Sequence, residues 1–281
     1  MSALRRTATI IGYEWRRALA KKKVLALIIL AIAIQTLPFV LFTRIFTDLT
    51  EDAKATMWIF GALGGQSMFI QLVAIIIAGG AMAEEYEHGT ADILLSKPIK
   101  KLEYMSGKYL GGFSLLVVIE ALMVAIGVLL GFAFFGPQRH LQYAPLILGA
   151  IAYSSLLFFS LTFMFSEVIR RGTLAMLTTI GVFIASQMLY GVLLMLYMFS
   201  IVGGQPNEFY LDVSKLLPTW SVGNLPTFIA SELMPMLNNP LITLVTGDIT
   251  LAALIIAVYT VASILIVSIR LVKSDVTKKA D

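Results

Sequence analysis

Residues Leu174–Val202 are 29 consecutive positions without one Asp, Glu, Lys or Arg. No water-soluble domain of this length can hide a stretch of that kind together with the others in this chain. At about 1.5 Å per residue a helix of this length exceeds the roughly 30 Å of a bilayer's hydrocarbon core. Five further apolar runs occur: Val24–Phe42, Ala55–Ala83, Tyr109–Phe135, Leu146–Phe165 and Ile249–Ile269. Lipid offers no hydrogen bonds to bare backbone, so runs of this length are helical. The sequence therefore predicts an all-α polytopic membrane protein with six transmembrane helices.

Composition agrees. The chain is 58% hydrophobic and 14% charged, where soluble domains average about 45–50% and 25%. That excludes a soluble enzyme, a disordered chain and a nucleic-acid-binding domain, despite the net charge of +4. With no cysteine and only His88 and His140, disulfides, thiolate metal sites and histidine-rich metal sites are set aside. Lys21-Lys22-Lys23 precede the first run like the basic region of a signal peptide. The run is too long for one, and no small-x-small cleavage site follows, so it reads as a retained span.

Orientation follows from the cations. Seventeen of the 21 Lys and Arg fall in the N-terminal segment, the second-to-third loop, the fourth-to-fifth loop and the C-terminal tail. The other side holds Arg44, Lys54, Arg139 and Lys215. Both termini are therefore expected in the cytoplasm of a multi-pass plasma-membrane protein. The expected organisation is a leader (1–23), a membrane domain (24–271) and a tail (272–281). Within the membrane domain lie a cytoplasmic loop (84–108) and an external segment (203–247).

In the leader, Leu4, Ala8, Ile11, Trp15 and Leu19 recur at steps of three and four, with Arg5, Arg6, Arg16 and Arg17 around the remainder. This fits an amphipathic helix lying at the cytoplasmic interface better than a plain basic tail. The external segment carries Pro206, Pro218, Pro226, Pro235 and Pro240 among many apolar residues. Prolines so spaced forbid one long helix and predict short external or re-entrant helices, protein-covered wherever they dip into lipid.

The second-to-third loop reads EEYEHGTADILLSKPIKKLEYMSGKY from Glu84. Gly89 breaks the emerging helix, Thr90 can cap a new one, and Pro98 ends it. Ile93, Leu94 and Leu95 then sit on a short helix and need either a partner surface or the chain's own helix ends. The order Glu84, Glu85, Glu87, Gly89, Thr90, Leu94, Leu95, Ser96, Pro98, Lys100, Lys101, Gly107, Lys108 is similar to that of ABC-2-type transporter membrane subunits. Six spans, internal termini, a basic amphipathic leader and an irregular apolar segment before the last span match too. So does the fourth-to-fifth loop, from Ser166 to Thr173. The likeness covers nearly the whole chain and leans toward stand-alone permeases such as those serving nitrous oxide reductase maturation.

The resemblance implies an exporter permease working by alternating access. It implies an ATPase-coupling surface of Glu84, Glu85, Glu87, Gly89, Thr90, Ile93, Leu94, Leu95, Ser96 and Pro98. Glu167, Arg170 and Arg171 would form a second cytoplasmic contact. ATP and Mg would be held by two copies of a separate ABC ATPase, and the permease would pair with a second copy of itself or a related chain. No cofactor is expected in this chain and it is not itself an enzyme. Gly107-Lys108 lacks both the glycine five residues earlier and the following Ser or Thr of a phosphate-binding loop.

Glu120, about 11 residues into the third run and so roughly 16 Å deep, must face the protein interior. It is either a structural hydrogen-bonding group or, with Gln187, part of a substrate path. Gly61-x-x-x-Gly65, Gly107-x-x-x-Gly111 and Gly127-x-x-x-Gly131 read as close helix packing rather than a dimer seam. His88 among glutamates lacks the order of a metalloprotease motif. A secondary transporter or channel without an ATPase is the alternative function.

Overall fold

The computed structural model describes residues 3–20, 22–45, 51–64, 66–90, 100–233 and 248–273. Among these every regular element is helical. The elements are α1 (Ala3–Leu19), α2 (Lys22–Ile45), α3 (Glu51–Ala55), α4 (Met57–Gly64), a π-helical segment (Gln66–Ile70), α5 (Gln71–Gly79) and α6 (Ala83–Glu87). They continue as α7 (Lys101–Phe135), a 3₁₀ turn (Leu141–Tyr143), α8 (Ala144–Ile169), α9 (Gly172–Val202), α10 (Glu208–Lys215), α11 (Pro218–Leu233) and α12 (Ile249–Lys273). Among the described residues six stretches are long and apolar enough to cross a membrane: Val24–Leu41, Met57–Glu87, Lys101–Phe135, Leu141–Ile169, Gly172–Val202 and Ile249–Lys273. Each contains most of one of the six runs read from sequence.

The second span is not one helix. The polar lapse at Gln66, Ser67 and Gln71 coincides with the π segment, the usual form of a local insertion into an α-helix. A second interruption, at Gly80–Met82, separates α5 from α6. The third span, in contrast, is longer than its apolar run. The helix starts at Lys101 rather than near Tyr109, so the last eight residues of the 84–108 segment, with Glu103 and Lys108, are the first two turns of α7.

The buried apolar residues form three clusters. Ile70, Ala74, Ile77, Leu116, Met123, Phe159 and Leu271 pack together where α5, α7, α8 and α12 meet. Trp220, Phe158, Phe183, Leu225 and Ile256 form a second cluster under α11. Trp58, Ile59, Val124, Ile151 and Ala230 form a third. The helix α11 is therefore covered by protein, with Trp220, Val222 and Leu225 buried. Pro226 sits inside α11 and does not end it. Its ring removes one backbone donor, and burial against α8 and α12 holds the helix in spite of that loss.

The glycines read as packing sites meet neighbours within the chain, apart from Gly65, which lies outside the described residues. A Cβ on Gly127 would stand 3.0 Å from the backbone of Gly61 and Ala62, so α7 and α4 touch backbone to backbone there. Gly107 and Gly111 receive the leader, at Ile10 and at Ile11 and Glu14. Gln35 adds a cross-brace, donating to Gly61 O at 2.9 Å and Met123 O at 2.8 Å. The leader α1 thus docks along the start of α7, with Glu14 and Ala18 buried and Trp15 Nε1 donating to Ser114 Oγ at 2.9 Å. Ala8 and Leu19, also from its apolar positions, stay exposed.

Candidate functional site

The leader, the end of the second span and the start of α7 meet at one end of the bundle, and charged side chains join them. Lys108 is only 1% exposed. Its ammonium lies 2.6 Å from Glu85 Oε1 and 2.9 Å from Glu14 Oε1, and it donates to Ala81 O at 2.8 Å. Arg17 lies 2.6 Å from Glu14 Oε2 and 3.3 Å from Glu84 Oε2, and donates to Gly80 O at 2.6 Å. Arg6 forks onto Glu103 through contacts of 3.0 and 3.2 Å. Buried charges persist only when paired and hydrogen-bonded, and here two cations from two helices share three carboxylates.

The fourth-to-fifth connection joins the same end. Both carboxylate oxygens of Glu167, which is fully buried, accept from the Tyr86 hydroxyl, at 3.1 and 3.0 Å. The Arg170 guanidinium lies over the Tyr86 ring, 4.4 Å from its centre. Arg170 itself caps α8 in the left-handed region, at φ 58°. Glu87 accepts the Gly172 amide at the start of α9 at 2.9 Å. From α12, Arg270 donates to Val168 O at 3.0 Å. Arg171 is exposed beside them.

The residues expected at an ATPase surface divide accordingly. Glu84, Glu85 and Glu87 are each engaged by this chain's own groups. Gly89 adopts φ 66°, the left-handed turn expected of the helix break. Thr90 turns its hydroxyl back to Glu85 Oε2 at 2.5 Å. Ile93, Leu94, Leu95, Ser96 and Pro98 lie outside the described residues. Among the described residues no group of three or more His, Cys, Asp and Glu could hold a metal.

Residues 8–276 match the family model described as ABC-2 family transporter protein. The chain belongs to that family. It is the permease, the membrane component of an ABC transporter, and ATP is bound by a separate ATPase rather than by this polypeptide. That decides against a transporter or channel working without an ATPase. No curated relative matches the chain.

The two residues suggested for a substrate path are not brought together. Glu120 is fully buried on α7, where Ser155 Oγ donates to its Oε1 at 2.6 Å and its Oε2 has no hydrogen-bond partner. Gln187 lies exposed on α9, lining a cavity of about 540 Å³ between α9 and α11 with Met68, Phe183, Tyr190, Thr219 and Asn224. The buried geometry of Glu120 fits a structural contact. Glu120→Gln is expected to melt at or above the wild-type temperature, because the amide still accepts from Ser155 and no carboxylate is buried. Glu120→Leu is expected to cost about 1 kcal/mol, since Ser155 retains the Ala152 carbonyl at 3.0 Å. Melting curves of the purified chain check both values. A large loss in the Gln variant would mean that a charge is needed at this position.

Sequence reading missed Glu14, Arg17, Lys108 and Ser166 as organising residues. One signal was available: Glu14 is the only acidic residue before Asp48, set in a strongly basic segment.

Proposed function

We propose that this permease is an exporter that works as a pair of copies bound to two ABC ATPase subunits, moving its substrate by alternating access. Its sequence leans toward stand-alone permeases such as those serving nitrous oxide reductase maturation. In this reading residues 1–23 are the leader, 24–271 the membrane domain, 84–108 the coupling loop, 203–247 the external segment and 272–281 the tail. The observation that carries the reading is the joining of the leader, the second-span exit and the start of α7 by buried ion pairs, and of the fourth-to-fifth connection to the same end by hydrogen bonds from Tyr86 and to Glu87. That end of the bundle is one braced platform, as a surface that receives force must be.

The ATPase meets Gly89, Thr90 and the stretch containing Ile93, Leu94, Leu95, Ser96 and Pro98, with Glu167, Arg170 and Arg171 at a second contact. Glu84, Glu85 and Glu87 act by holding the platform together rather than by presenting free charge to the partner. The face left for a second copy is supported by α9, the least buried of the six spans, with Met188, Val192, Met195 and Phe199 exposed along it. The cavity beside Gln187 is the candidate substrate entry.

The test is co-expression with an ABC ATPase. ATP hydrolysis and co-purification are expected only when the ATPase is present. Micromolar ATP binding by the permease alone would overturn the reading.

A further inference from the structure

We propose that the break at Gly79–Met82 is a clamped joint that passes motion of the cytoplasmic platform into the second span, and that Arg17, Lys108 and Ser166 are its positioning residues. The inference rests on the reading of residues 84–108 as the coupling loop.

A helix interruption strands backbone groups, and in a buried setting each must find another partner. Here three side chains from three different helices supply them. Ser166 Oγ, on α8, donates to Gly79 O at 2.8 Å and accepts from Met82 N at 3.1 Å and Ala83 N at 2.9 Å. That uses the hydroxyl's one donor and two acceptor sites in full. Arg17, on α1, donates to Gly80 O at 2.6 Å, and Lys108, on α7, donates to Ala81 O at 2.8 Å. No proline causes the interruption. Gly80 stands at φ −90°, and Gly79 leaves room for Met176 of α9, with which a Cβ there would collide.

Both cations also reach past the break. Arg17 lies 3.3 Å from Glu84 and Lys108 lies 2.6 Å from Glu85, both on α6. Each therefore grips the joint and the helix that leaves it. A shift of α6 pulls on α1 and α7 through charge pairs, and on α8 through Ser166. A kink satisfied by water would yield locally. This one transmits displacement, because its partners are side chains of packed helices.

The chain has no cysteine, so a single cysteine at Met68, which is exposed in the π segment, reports on the membrane half of the second span. The experiment uses the complex with its ATPase in lipid nanodiscs. It compares the maleimide labelling rate of Met68→Cys without nucleotide and after trapping with ATP and vanadate. With native Ser166, and with Ser166→Thr, which keeps the hydroxyl, the rate is expected to change by about fivefold or more. With Ser166→Ala the nucleotide-dependent change is expected to disappear while ATP hydrolysis stays within about twofold of the parent rate. Arg17→Gln is expected to behave like Ser166→Ala. A brace with no part in transmission would lower melting temperature and leave the labelling change intact, and that result overturns the proposal. If the complex with native Ser166 neither holds the ATPase nor responds to nucleotide, the permease reading of the loop falls and the joint falls with it. If it responds and Ser166→Ala responds equally, only the joint falls.

Discussion

Lys108→Met is expected to destabilise the permease by about 3–5 kcal/mol, the cost of leaving buried charges without their partner. Methionine matches the length of the lysine stem but supplies no donor. Glu14 and Glu85, 2% and 6% exposed, then keep only partial compensation. Arg17 remains 2.6 Å from Glu14, and Thr90 remains at 2.5 Å from Glu85. The Ala81 carbonyl loses its donor outright. Adding Glu14→Gln and Glu85→Gln to Lys108→Met is expected to restore more than half of the loss, because neutral amides carry no uncompensated charge and still bond to Arg17 and Thr90. The exposed pair Arg139–Asp52, 68% and 59% exposed at 3.0 Å, is the control. Asp52→Asn is expected to change stability by less than about 1 kcal/mol. Denaturant unfolding of the three variants in one detergent checks the ranking. A wild-type midpoint for Lys108→Met would mean that the buried network contributes nothing.

What the sequence made legible follows from the length scale of each signal. A span is a pattern some 20 residues long, imposed by lipid on every position, so six runs and the cation asymmetry were readable without any contact map. The spaced glycines, such as Gly107 with Gly111 and Gly127 with Gly131, were readable as close packing, because only small residues let helices approach. Which helix approaches was not. The partner of Gly107 is Ile10, 97 positions away in the chain, and nothing local to either residue names the other. The same holds for the clamp. Ser166 looks like any serine near a span end, and Lys108 looks like one more cytoplasmic cation. Their roles exist only after α1, α6, α7 and α8 have converged. The leader's amphipathic pattern was legible as a helix, but not that Glu14, a charged residue, is among its most buried, held by Lys108 and Arg17.

Gly89→Pro is expected to cut recovery of the ATPase with the permease at least tenfold, equivalent to about 1.4 kcal/mol of binding free energy, with permease yield near wild type. Gly89 sits at φ 66°, and its amide donates to Tyr86 O at 3.2 Å. Proline fixes φ near −65° and has no amide hydrogen, so the chain cannot leave α6 in its present direction. Residues 84–87 are held independently by Arg17, Lys108, Tyr86 with Glu167, and Gly172, which is why the spans are expected to fold around the altered turn. Gly89→Ala separates geometry from mere substitution. It keeps the donor and meets no steric contact within 4 Å, so it carries only the left-handed strain of about 1–2 kcal/mol and is expected to retain most of the ATPase. Leu94→Asp tests the same contact at the apolar stretch proposed to meet the ATPase. An unpaired carboxylate in an apolar groove costs several kcal/mol, so binding is expected to fail without any change in the turn. The ordering Gly89→Ala above Gly89→Pro and Leu94→Asp, measured by quantitative pull-down against permease recovered, is what a docking element launched from a fixed turn requires. Equal recovery for all three would move the ATPase contact away from residues 84–108 and onto the leader or the fourth-to-fifth connection.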